Sequence, residues 1–336
     1  QDASGDLRRN GHGGQLHYFH FTGTVSFVDG NRMAVVLPDM EALSHLREDG
    51  RIGVQLYLDE TTYRLMFEAL DRVSAARHGR LAELRDIFHG TAQAGHFSFQ
   101  PIRFSWLNPT QEIAVNEVLR AKDVMIVHGP PGTGKTTTLV EAIYETLHRE
   151  SQVLVCAQSN MAVDWISEKL TDRGVAVLRV GNPSRVNDKM LSFTYERRFE
   201  AILLTLGHNE ARVIACTLAG SANRVLAGKK FPTLFIDEAA QALEASCWIA
   251  IQKAGRVILA GDHRQLPPTV KCPEALKGGL DRTLMETIAA RHPSAVSLLR
   301  TQYRMNDAIM RFSSECFYDG KVESAPEVKY RGILDW

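Results

Sequence analysis

Apolar positions along the chain follow three successive patterns. Residues 16–28 are rich in aromatic and β-branched side chains, and Asp29-Gly30-Asn31 is a hairpin signal. Residues 32–37 read as the return strand and 52–58 as another short strand, which predicts a small antiparallel barrel. Residues 1–14 are polar and glycine-rich and are expected to be loosely held. Over 61–88 the pattern turns helical. Met66, Leu70, Val73, Leu81, Leu84 and Phe88 recur at threes, fours and their multiples, predicting one long helix that stops at Gly90. Its single apolar stripe suits packing on a neighbour, or a stalk that spaces the barrel from the next domain. The third pattern starts at Val124. Apolar runs at 124–128, 153–157, 175–180, 212–216, 233–236 and 256–260 alternate mostly with helical segments. Such runs are strands buried on both faces, so this part is an α/β doubly wound domain with a parallel sheet.

The polar punctuation between these runs carries the chemistry. Gly129-Pro130-Pro131-Gly132-Thr133-Gly134-Lys135-Thr136 lies between a strand and a helix and matches the phosphate-loop pattern at every position. Glycines let successive N–H groups curl around phosphate oxygens, and the helix start adds its positive dipole end. Lys135 would reach the β- and γ-phosphates, and Thr136 would hold Mg²⁺. Asp237 and Glu238 close a later apolar strand. Asp237 fits a Mg²⁺ carboxylate and Glu238 a base that polarises the attacking water, although an acid pair also suits a solvated helix start. Gln265, after the next strand, could sense a γ-phosphate, and Arg304 could stabilise charge there or be an ordinary surface cation. Asn108-Pro109-Thr110-Gln111 has the chemistry of a helix N-terminus with a capping box. The distinctive residues Gly129, Ser159, Asn160, Thr217, Asp237 and Asp262 all follow strand ends, the edge where open α/β sheets bind ligands.

Composition limits the alternatives. With 336 residues the chain should form about two domains. Thirty-nine Lys and Arg balance 39 Asp and Glu, so any basic surface for a polyanion must be local. Five scattered cysteines without a C-x-x-C pair argue against a zinc site or disulfide framework, and for reduced thiols in a cytoplasm. No signal peptide and no bilayer-length apolar run is visible, so no membrane contact is expected. The first residue is Gln1, not Met, which suggests a piece of a longer chain.

The ordered set Asn108-Pro-Thr-Gln111, Gly129 to Thr136, Ser159-Asn160-Met-Ala-Val-Asp164, Asp237-Glu238-Ala-Ala-Gln241, Gly261-Asp-His-Arg-Gln265-Leu-Pro267 and Gln302-Tyr303-Arg304-Met305 resembles superfamily 1 helicases. The likeness is to the branch that holds the nonsense-mediated-decay RNA helicase and its DNA-acting relatives. It covers residues from roughly 105 to 321. It implies a RecA-like ATPase domain over 105–294, an accessory barrel over 1–60, a helical stalk and linker over 61–104, and the start of a second RecA-like domain over 295–336. It implies ATP and Mg²⁺ as cofactors, single-stranded DNA or RNA as partner, and a monomer. The implied nucleotide contacts are Asn108, Gln111, Gly129, Pro130, Pro131, Gly132, Thr133, Gly134, Lys135, Thr136, Thr137 and Tyr303. Gln111 would bond the adenine edge and Tyr303 would stack on its ring. The implied catalytic set is Lys135, Asp237, Glu238, Gln265 and Arg304, with Thr136 and Asp237 at the metal. Ser159, Asn160 and Thr217 would touch the nucleic-acid backbone, although Ser159 and Asn160 taken singly also suit a turn or helix cap. The resemblance implies 5′-to-3′ movement, and a second domain with a further arginine that these residues lack. The chain by itself is therefore expected to hydrolyse slowly. A nucleotide-gated clamp that remodels complexes without unwinding is the rival reading. A purely structural ATP-binding module fits less well, since binding alone does not need Glu238.

Overall fold

A computed structural model describes residues 4–10, 16–37, 40–47, 52–57, 60–90, 92–182, 185–194 and 211–332. The chain divides into two compact units, residues 1–64 and 65–336.

The first unit is a four-stranded antiparallel sheet in the order β3-β2-β1-β4. Its strands are β1 (Ser4–Asn10), β2 (Leu16–Asp29), β3 (Arg32–Val36) and β4 (Ile52–Tyr57), with helix α1 (Met40–Arg47) before the last. Asp29 pairs with Arg32, so Gly30 and Asn31 form the two-residue hairpin expected there, and Gly30 takes φ 54°. The described strands leave β3 and β4 at the two edges of the sheet. One expectation fails. Residues 4–10, expected to be loosely held, form β1 and pair with both β2 and β4. Gly5, Asp6, Arg8, Arg9 and Asn10 have little strand propensity, but two flanking ladders override it. Residues 1–3, 11–14 and Leu58 of the expected segments lie outside the described residues.

The single helix expected over 61–88 is two, α2 (Thr61–Ala75) and α3 (Arg80–His89). The break falls at Gly79, whose φ of 82° no helix tolerates. Arg85 then folds back and donates to the freed carbonyls of Val73 (2.8 Å) and Ala76 (2.6 Å). Met66, Ala69, Val73, Leu84, Ile87 and Phe88 are buried in the same core as the large sheet. These helices therefore pack on the α/β domain and do not stand off it.

Helix α4 (Pro109–Arg120) starts with a complete capping box between Asn108 and Gln111. Beyond it, β5 (Val124–His128), α5 (Lys135–Thr146), β6 (Val153–Ala157), α6 (Asn160–Asp172), β7 (Val177–Arg179), β8 (Val213–Thr217), β9 (Phe231–Asp237), β10 (Ala254–Gly261) and β11 (Val296–Leu298) build the domain. The seven strands are parallel and run in the order β11-β5-β10-β9-β6-β8-β7. Every residue of β5 and β6 is buried, as the apolar runs require. Strand β11 lies past residue 294, where the domain was expected to end, yet it pairs with β5 through Ser297 and Val127. At three residues it is too short to leave a periodic signal.

Register places the candidate residues. His128 pairs with Gly261, and Ala157 pairs with both Asp237 and Thr217. The strands thus end almost level, and the loops after them share one edge of the sheet. Past β11 come β12 (Thr301–Gln302), a helix at Asp307–Phe317 and β13 (Glu323–Ser324), which gather Met310, Tyr318 and Val322 into a small core.

Candidate active site

A cleft of about 550 Å³ opens at that edge, between β5, β9 and β10 and the segment after β12. The whole of 129–137 lines it, together with Glu238, Gln265, Tyr303 and Arg304.

The loop owes its shape to glycine. Gly132 and Gly134 have φ of 77° and 75°, in the left-handed region. A Cβ on Gly129 would come within 2.7 Å of the Lys135 side chain, one on Gly132 within 2.6 Å of Arg304 Cβ, and one on Gly134 within 2.5 Å of Gln111 Nε2. Thr133 is buried and its hydroxyl donates to Pro130 O at 2.7 Å, which pins the curl. A cradle of N–H groups with no room for Cβ atoms, opening on the first turn of α5, fits a polyphosphate.

Lys135 joins the two acids. Its Nζ donates to Asp237 Oδ1 at 2.7 Å and to Glu238 Oε1 at 2.6 Å. Burial acts to lower its pKa, but the charges of Asp237 and Glu238 outweigh that, so the net displacement is upward. Asp237 is buried at the end of β9, and its Oδ1 also accepts from Glu238 N at 2.8 Å. Glu238 itself is left-handed, with φ 52°. That conformation is costly for a residue with a Cβ. It turns the chain directly after β9, so that Asp237 and Glu238 both meet one ammonium.

Asp262, after β10, is a second hub. His128 Nε2 lies 2.8 Å from its Oδ1, while Gln265 Nε2 and Tyr318 Oη each donate to its Oδ2 at 2.7 Å. Burial pushes the Asp262 carboxyl up, but the bonds from His128, Tyr318 and Gln265 prevail and bring it down to about 2. Asp262 and Tyr318 were not among the expected functional residues. The motif Gly261 to Pro267 contains Asp262 but assigns it no role, and a lone tyrosine in Phe317-Tyr318-Asp319-Gly320 gives no local signal. Gln241, from the Asp237 motif, and Arg331, which no local pattern marks, also line the cleft.

The other candidates divide. Asn108 Nδ2 donates to Tyr303 Oη at 3.1 Å, and Tyr303 N donates to Gly132 O at 2.8 Å, so Tyr303 is hung over the loop. Gln111 lies behind the loop and off the cleft wall. Its Oε1 accepts from Asn108 N (3.1 Å) and its Nε2 donates to Thr133 O (3.1 Å). The strand-end residues carry local bonds. Ser159 Oγ caps α6 by accepting from Ala162 N at 3.2 Å, and Thr217 Oγ1 accepts from Gly220 N at 3.0 Å. Asn160 Oδ1 accepts from the fully buried Arg179 at 2.8 Å, and Arg179 also pairs with Asp164. Ser159, Asn160 and Thr217 do not line the nucleotide cleft, but follow adjacent strands at the same edge.

Fold and cleft together define a RecA-like phosphate-loop domain of the helicase kind. Residues 106–206 and 204–273 match the AAA domain family, and 280–334 match a second family also described as AAA domain. The chain belongs to this family, within superfamily 1 of the helicases. It is 33% identical over 327 residues to the DNA-binding protein SMUBP-2 of Rattus norvegicus, covering 80% of this chain and 33% of that protein. It is 32% identical to the DNA polymerase alpha-associated DNA helicase A of Schizosaccharomyces pombe, covering 68% of this chain and 42% of the relative. An uncharacterized ATP-dependent helicase of Methanocaldococcus jannaschii is 29% identical, covering 85% of this chain and 56% of that protein. The chain thus spans a third to just over half of the length of these relatives. Among the described residues no helix is long and apolar enough to cross a membrane.

Proposed function

We propose that this chain carries the ATP-hydrolysing part of a helicase or translocase that moves on single-stranded nucleic acid. The observation that carries the reading is the grip of Lys135 on both Asp237 and Glu238 at the mouth of the phosphate loop. In this reading Lys135 exchanges its two carboxylates for phosphate oxygens when ATP enters. Glu238 is thereby released to take a proton from the attacking water. Thr136 and Asp237 would hold Mg²⁺, which would supply positive charge beside a bound triphosphate. Gln265, oriented by Asp262, and Arg304, next to Gly132, face the γ-phosphate. Tyr303 stacks on the adenine, and Asn108 steadies its hydroxyl. Gln111 acts on the nucleotide through the loop, by holding Thr133 O, more readily than by direct contact. Ser159, Asn160 and Thr217 border the strand path with neutral groups, contacts that position a strand without reading its sequence.

The relatives' names include DNA-binding and ATP-dependent helicase proteins, which favours nucleic acid as the track. The test is steady-state ATP hydrolysis with and without single-stranded DNA and RNA, for this chain and for a form extended through a second RecA-like domain. Stimulation by a strand in the extended form is the expected result; hydrolysis indifferent to both strands would remove the motor reading. The rival, a clamp that remodels complexes, predicts strand-stimulated hydrolysis without displacement of a duplex partner strand.

A further inference from the structure

A second pocket, of about 390 Å³, lies at the opposite edge of the sheet from the nucleotide cleft. Its walls come from α2, from the turn that enters β9, and from the turn between the helix Glu244–Ile251 and β10. Lys230 immediately precedes β9 and Asp237 ends it, so the two sites are separated by the length of that strand, about 20 Å.

Four cations line this pocket: Arg72, Lys229, Lys230 and Lys253. Three of them bond to neutral partners. Lys230 Nζ donates to Gln252 O at 2.6 Å, Lys253 Nζ to Leu226 O at 2.7 Å, and Arg72 Nη1 to Gln252 Oε1 at 3.3 Å. Each carbonyl holds an ammonium in place and leaves its charge uncancelled, with further N–H donors to spare. Among the described residues that line the wall, Glu68 is the one acid. Burial above all, and then the nearby charges of Lys230 and Arg72, lower the Lys253 pKa. Like charges gathered from three separate parts of the chain repel, and an anion seated among them would relieve that repulsion.

We propose that this pocket binds the phosphodiester backbone of nucleic acid, as an anchor remote from the strand path at the nucleotide edge. The inference rests on the nucleic-acid reading above and adds a site to it. Neutralised phosphates supply most of the non-specific affinity for a strand. Ser159, Asn160 and Thr217 carry no charge and cannot supply it. The chain has no net positive charge, so a phosphate-binding surface must be a local concentration of cations, as this pocket is.

The test is a salt titration of binding to a long single strand and to one too short to reach both edges. The wild-type chain is compared with Lys229→Glu/Lys230→Glu and, lest reversal disturb folding, with Arg72→Gln/Lys229→Gln. Arg72, Lys229 and Lys230 are all exposed. For the long strand the expected result is a loss of affinity of about tenfold in low salt. The slope of log K against log salt should flatten by about 0.7 per lost phosphate contact. Short-strand binding, ATP affinity and the unfolding midpoint should stay unchanged. Equal long-strand affinity and slope in wild type and both variants would overturn the anchor alone. So would a loss confined to anionic phospholipid vesicles. A wild-type chain that binds neither strand would remove the nucleic-acid reading and the anchor with it.

Discussion

Tyr318 reaches back across 56 residues and donates its hydroxyl to Asp262 at 2.7 Å. Tyr318 belongs to the segment after β12, whereas Asp262 directly follows β10 and also binds Gln265. The bond therefore ties the far segment to a residue facing the cleft. Tyr318→Phe removes one hydrogen bond to a buried carboxylate that keeps His128 and Gln265. The expected cost is about 1.5–3 kcal/mol of stability, read as a shifted urea midpoint. If Gln265 owes its aim to Asp262, maximal ATP turnover should fall more than KM changes; a KM effect alone would argue against that coupling.

The same carboxylate sets a pH dependence. Its folded pKa of about 2 lies below the unfolded value of 3.8. Its contribution to stability is therefore fully present above about pH 4 and is lost as pH falls through about 2. The difference corresponds to about 2 kcal/mol. Unfolding free energies of wild type and Asp262→Asn should differ most near neutrality and converge toward pH 2. A gap independent of pH would show that Asp262 contributes through shape and not through charge.

Lys135→Ala is expected to abolish productive ATP binding, because the loop loses its cation. The mutation also leaves Asp237 and Glu238 facing each other without an ammonium, so some thermal stability should go with it. Titration with a fluorescent nucleotide is the measurement. Unchanged affinity and turnover would end the phosphate-loop assignment.

Glu238→Gln keeps the size of the side chain and its place in the left-handed turn, but the amide cannot accept the proton. ATP affinity should hold or rise slightly, since Lys135 is released from one of its two carboxylates. Hydrolysis should fall by about 10²–10⁴. Turnover within about threefold of wild type, against that range, would mean that another group acts as base.

Gly132→Ala should fail for two separate reasons. Alanine is disfavoured at φ 77°, and its Cβ would press on Arg304 Cβ at 2.6 Å. Nucleotide affinity should drop by tenfold or more, equivalent to about 1.4 kcal/mol, with Arg304 displaced. Isothermal titration checks the affinity, and normal binding would show that the loop and Arg304 are not packed as described.

The features legible in the chain alone are local. The phosphate loop, the capping box at Asn108 and Gln111, the hairpin at Gly30 and the buried strands each depend on neighbours within a few residues. Their residue types and spacing therefore suffice. The helix cap made by Ser159 was legible in the same way, as one of two readings.

Contacts that depend on strand order emerge only in the packed fold. Placing β10 between β5 and β9 brings Asp262 beside His128. The left-handed turn at Glu238, costly by itself, is held where Lys135 meets both acids. Gly79 becomes a break because Arg85 can bond the carbonyls it frees, and residues 4–10 become a strand because two ladders flank them. Arg72, Lys229, Lys230 and Lys253 look like scattered surface charges until the fold collects them. Interactions between groups far apart in the chain have no period and no motif, so only the packed sheet reveals them.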